Sequence, residues 1–198
     1  IVVLSLVLQI PLALGLAALL NSRIRGRAVL RTLFFAPYVL SEVVTGVVWR
    51  QILRPSGLLD EMMGAVGLGA HTQGWLSDPD VVLYALFFVV SWKYFGFHMV
   101  LMLAGLQQIP KDLSEAASID GASAWQSFRH ITLPLLGPTI RVSIFLSIIG
   151  ALQLFDLVYI IWGQYVASTA GTSTMATYMV REGRLAGNYG FGNAVAVV

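Results

Sequence analysis

The sequence contains no cysteine, which excludes disulfides and thiolate metal sites and leaves the redox compartment unread. Charge is scarce: 11% of the 198 residues are Asp, Glu, Lys or Arg, against roughly 25% in soluble domains. The formal net charge of +2 is too small, in a chain this apolar, to argue for nucleic acid as a partner. Reactive constellations are also missing. No G-x-x-x-x-G-K-[ST] phosphate loop occurs, so the chain has no ATP site of that kind. His71, His98 and His130 stand far apart and fit no metal-ligand spacing such as H-E-x-x-H. No serine sits in a G-x-S-x-G elbow, and a membrane enzyme would need some such group.

What is abundant is apolar residues, 57% of the chain, a composition that belongs in a bilayer. A hydrocarbon core of about 30 Å needs about 20 apolar helical residues. Residues 1–20 meet that length with no charge, and Pro11 inside them predicts a kink that a membrane span tolerates. This run lacks the basic start and small-x-small site of a signal peptide. Further spans are predicted over 32–53 (interrupted by Pro37 and Glu42), 81–107 (Lys93 its only charge) and 142–162 (Asp156 its only charge). A fifth opens at Tyr189. Residues 56–80 read as a loop with a short interfacial helix over 62–68 and Trp75 as a headgroup anchor. Residues 164–188 read as a Gly/Ser/Thr-rich loop. Both ends of the sequence fall inside apolar runs, so the expectation is a single transmembrane domain over 1–198, an excerpt of a longer protein.

Arg23, Arg25, Arg27 and Arg31 crowd one short loop, which marks it as cytoplasmic, unless it is only an exposed basic turn. Alternation then puts 56–80 outside, 108–133 inside and 164–188 outside.

The one long polar, helix-capable stretch between strongly apolar runs is 115–134, EAASIDGASAWQSFRHITLP. Glu115, Ala116 and Ala117 suit a helix, and the alanines leave a shallow surface. Asp120 and Gly121 interrupt it. A second helix over 122–130 is expected, with Asp120 as its N-cap. Pro134 is placed in the first turn of the next apolar helix. The physical reading is a helix–turn–helix elbow on the membrane surface.

Glu-Ala-Ala, three residues, Gly, nine residues, Ile-x-Leu-Pro resembles the cytoplasmic EAA loop of ABC importer permeases, and Glu115, Ala116, Ala117, Gly121, Ile131, Leu133 and Pro134 fill every position of it. Flanking stretches are similar to carbohydrate-uptake permeases: Gly26-Arg27 with 31–37, 47–50, Trp75-Leu76, Trp92-Lys93, 104–110 and 173–178. One departure is Trp162-Gly163-Gln164-Tyr165, where that group often has a glycine-proline turn. The resemblance implies an all-α polytopic transmembrane bundle like the six-helix, MetI-like core of type I importers. It implies a permease half-path for a sugar or oligosaccharide, in a bacterial or archaeal inner membrane. It also implies cytoplasmic ATPase subunits that bind the ATP and magnesium, a second permease chain of different sequence, an external solute-binding protein and surrounding lipid. No cofactor is implied in this chain.

On that resemblance, Glu115, Ala116, Ala117, Ile119, Asp120 and Gly121 would meet the ATPase. Small alanines allow close approach, Ile119 is an apolar anchor, and carboxylates offer charge-assisted bonds. For a substrate path the candidates are Trp92, Lys93, Tyr94, Phe95 and His98, with Gln153, Phe155 and Asp156. Intramembrane ionisable groups usually face an interior cavity, and Ser91, Tyr94, Phe95, His98 and Met102 share one helical face. Lys93 and Asp156 could equally pair structurally or sit near an interface while the aromatics pack. Glycerol phosphate or a polyamine remains an alternative cargo, and an ATP-independent carrier or channel an alternative class.

Overall fold

The structure, a computed structural model, describes residues 1–22, 24–67, 74–163 and 172–197. Arg23, His71, Gln164 and Tyr165, the end of the expected 62–68 helix and the first part of the expected 164–188 loop lie outside the described residues. Among the described residues every regular element is helical: α1 (Val2–Asn21), α2 (Arg27–Val39), α3 (Glu42–Leu53), α4 (Leu58–Ala65), α5 (Val82–Gln107), α6 (Lys111–Ile119), α7 (Ala124–Leu135), α8 (Gly137–Leu152), α9 (Asp156–Trp162), α10 (Met175–Val180) and α11 (Tyr189–Val197). Of these, α1 and α5 are each long and apolar enough to cross a membrane, and α2 with α3 and α7 with α8 qualify as broken spans.

The unbroken spans match continuous apolar runs. Pro11 does not kink α1 sharply. A π turn over Ser5–Gln9 precedes it, and the Ile10 N–H bonds the Ser5 carbonyl, a local adjustment that accommodates proline in a membrane helix. The two other expected spans are interrupted. The 32–53 run stops after Val39 because Ser41 caps a new helix, its hydroxyl accepting from the Val44 N–H at 3.3 Å with Glu42 in the first turn. The 142–162 run starts earlier, at Gly137, and ends at Leu152, with Asp156 opening the separate α9. Such breaks free carbonyls that lipid cannot satisfy. Here side chains supply donors: the Lys93 Nζ bonds the Leu40 carbonyl, and the Thr174 Oγ1 donates to the Leu154 carbonyl at 2.6 Å.

The chain packs as two compact units. In the unit formed by Val2–Val39 and Tyr94–Ile148, Ile10, Ala13, Ala17 and Leu20 of α1 form a buried stripe. It joins Met99, Met102, Leu103 and Leu106 of α5, together with Leu136, in one core. A Cβ added at Gly96 would collide with the Phe34 carbonyl, so only glycine permits this approach of α2 to α5.

In the unit holding Leu40–Lys93 and Ile149–Val198, Trp49 meets Phe88 and Trp92 edge-on at 5.4 Å each. The interfacial helix expected over 62–68 lies earlier, at Leu58–Ala65. Trp75 is half-buried, and its indole N–H donates to Asp60 Oδ1 at 2.8 Å while Asp60 Oδ2 accepts from the Ser56 N–H at 2.9 Å. The expected 164–188 loop is largely regular where described. α10 starts at a Thr174–Thr177 capping box and runs into a π turn over Arg181–Leu185.

Candidate functional site

The elbow is built from α6 and α7. α6 ends in a Schellman motif: the Gly121 N–H bonds the Ser118 carbonyl at 3.2 Å, and the Ala122 N–H bonds the Ala117 carbonyl at 2.9 Å. Gly121 has φ +83°, and a Cβ there would meet nothing within 4 Å. Glycine is therefore required by the left-handed backbone rather than by crowding. Asp120 is the C-cap of α6, not the N-cap of the next helix as expected. That role belongs to Ser123, whose hydroxyl accepts from the Gln126 N–H while Gln126 Oε1 accepts from the Ser123 N–H at 2.7 Å. The sequence offered this signal as S-x-x-Q, but the left-handed residue after Asp120 makes Asp120 the end of a helix and shifts the start downstream.

α7 then runs through a π turn over Phe128–Thr132 and continues past Pro134, so Pro134 does not open the apolar helix as expected. The bend comes at Leu136, and α7 and α8 meet at 64°.

On the elbow, Glu115, Ala116, Asp120 and Gly121 are exposed, and Ala117 alone of the six coupling candidates is turned inward, 9% exposed. Ile119 is 86% exposed and Trp125 is 66% exposed, stacked on Phe128 with centroids 5.7 Å apart. An isoleucine and a tryptophan are thus left bare on short polar helices. Trp125 was not singled out in the sequence, where it reads as one more amphipathic-helix aromatic.

The substrate-path candidates divide between the two units. In one, Lys93 is buried, its Nζ 3.6 Å from Glu42 Oε1, so its ion pair reaches the start of α3. Trp92 packs on Trp49. Asp156 and Gln153 are exposed at the break between α8 and α9, and Phe155 stacks on Tyr159 at 5.2 Å. Asp156 is thus a helix-opening residue rather than a charge in mid-span. In the other unit, His98 is buried and its Nδ1 lies 2.7 Å from Ser143 Oγ. Phe95 packs against Phe34 at 6.0 Å and onto the core, where Met102 is fully buried. Tyr94 meets Tyr38 edge-on at 6.0 Å. Glu42, read in the sequence only as an interruption of a span, is the partner that gives Lys93 its place.

Among the described residues, helices long and apolar enough to cross a membrane, interrupted spans and a polar elbow together define a helical, polytopic membrane-type protein. Residues 9–198 match the family described as "Binding-protein-dependent transport system inner membrane component", and the chain belongs to it. It is 35% identical over 195 residues to the trehalose/maltose transport system permease protein MalF of Thermococcus litoralis, covering 98% of this chain and 64% of that protein. It is 32% identical over 197 residues to the arabinooligosaccharides transport system permease protein AraP of Bacillus subtilis, covering 98% and 62%. Among solved structures it is similar to a chain of a bacterial alginate ABC transporter in complex with alginate pentasaccharide-bound periplasmic protein, with TM-score 0.84, 26% identity and coverage of 99% of this chain and 68% of that one. The chain thus spans under two thirds of the length of the two curated relatives.

Proposed function

We propose that the chain is the membrane core of a permease subunit in an ATP-driven, solute-binding-protein-dependent importer for a sugar or oligosaccharide. The observation that carries this reading is the elbow: a Schellman-closed α6 followed by a capped α7, presenting Ile119 and Trp125 to a partner. Family membership and relatives named for trehalose/maltose and arabinooligosaccharides support the cargo class. ATP and magnesium bind the partner ATPase, whose closure moves the elbow. The bend at Leu136 carries that motion into α8. Glu115, Ala116, Ile119, Asp120 and Gly121 form the contact, while Ala117 anchors α6 inward. An external binding protein delivers cargo, a second permease chain of different sequence completes the path, and the assembly sits in a bacterial or archaeal inner membrane.

The test is uptake by proteoliposomes containing the full-length permease pair, its ATPase and its binding protein. Uptake of labelled maltose, trehalose or an arabino-oligosaccharide should require internal ATP and the binding protein. Glycerol phosphate or polyamine uptake with no sugar uptake overturns the cargo. Uptake without ATPase overturns the class in favour of a carrier or channel.

A further inference from the structure

We infer that the root of the elbow holds a phosphate-bearing anion, with an anionic lipid headgroup as the source its location favours. A cavity of about 320 Å³ lies where α1, α2, α5, α6 and α7 meet. Its charged lining is Arg27 and Lys111, and Asn21, Gln107, Ser114 and Thr132 add hydrogen-bonding groups. No carboxylate lines it, and among the described residues neither cation has an ion pair.

The backbone fields agree with the side chains. Arg27 and Lys111 are the first residues of α2 and α6. Gly26 has no side chain to cap α2 and Pro110 supplies none for α6, so neither residue caps the first amides of these helices; Asp112 in the first turn of α6 is exposed and does not line the cavity. Carbonyls near the helix ends of opposite polarity have donors of their own. Ser22 Oγ holds the Leu19 carbonyl at 2.6 Å, Arg31 Nη2 holds the Leu20 carbonyl at 3.1 Å, and the Ile109 N–H closes onto Leu106. Arg31, one turn beyond Arg27, keeps a buried Nε with no hydrogen-bond partner. Asn21 and Gln107 are the last residues of the two unbroken spans, so the site lies at headgroup depth, where a phosphodiester presents its charge. Occupancy would tie the first turn of α6 to the ends of α1 and α5 and so stiffen the elbow's root.

Native mass spectrometry of the full-length permease complex in detergent, titrated with phosphatidylglycerol, phosphatidylcholine or inorganic phosphate, tests this. The wild type should retain phosphatidylglycerol over phosphatidylcholine. The Arg27→Gln/Lys111→Gln variant should retain it roughly tenfold less, and Arg129→Gln, an exposed cation outside the cavity, should match wild type. Inorganic phosphate competing at millimolar concentration identifies a soluble phosphate as the natural source and supports the site. Equal retention by wild type and double variant overturns it. So does a wild-type melting temperature that responds identically to the two lipids, a result that needs no variant.

Discussion

Gly121 and Lys93 act through backbone groups rather than through apolar contact. At Gly121 the left-handed backbone is imposed by two hydrogen bonds closing α6, with open space where a Cβ would go. Gly121→Ala should therefore destabilise the elbow by about 1–2 kcal/mol, and Gly121→Asn by less, since asparagine tolerates that region. Hydrogen exchange at the Ala122 amide would read both. Had crowding been the reason, alanine and asparagine would rank by size instead. Lys93 ties the Leu40 carbonyl to Glu42 across the interruption between α2 and α3. Lys93→Met should cost about 3 kcal/mol, the lower end for a broken buried pair because Glu42 keeps 28% side-chain exposure. Adding Glu42→Gln should restore part of that loss in thermal unfolding of the detergent-solubilised protein.

At the scale of elements, what the sequence displayed depended on whether one helix or two met the same demand. The runs at 1–20 and 81–107 became α1 and α5 because an uninterrupted apolar stretch of span length has one helical solution. Hydropathy does not distinguish the broken 142–162 run from a continuous one. Its break is stabilised by Thr174, whose hydroxyl reaches the Leu154 carbonyl from a distant loop. Thr174→Val should thus destabilise the unit by about 1–2 kcal/mol through both that bond and the α10 capping box, whereas a continuous helix there would be indifferent. In the elbow, two cap-type residues competed for one helix start. Gly121 decides for Ser123, because a residue preceding a left-handed glycine terminates a helix. Ser123→Ala should lower α7 stability by about 1 kcal/mol, measurable as faster exchange at the Gln126 amide. Asp120→Ala should leave that amide unchanged.

For the whole molecule, the elbow was legible because its motif spacing and its backbone requirement coincide at Gly121. A transport path was not legible in the same way. Trp92, Lys93, Tyr94, Phe95 and His98 are adjacent in sequence, yet Lys93 serves a helix break, Phe95 a core and His98 a buried serine. A lipid-facing helix and a path-lining helix use the same aromatic and apolar alphabet, so composition alone does not sort them. The elbow carries the central claim, because coupling to an ATPase is what separates an importer from a carrier or channel.

The most direct measurement is co-purification of full-length permease with its ATPase, together with ATP-driven uptake, for wild type, Gly121→Asp, Glu115→Lys and Ile119→Asp. All three variants should insert in the membrane, release the ATPase and lose coupled uptake. Assembly and coupled uptake that survive all three changes would contradict the account.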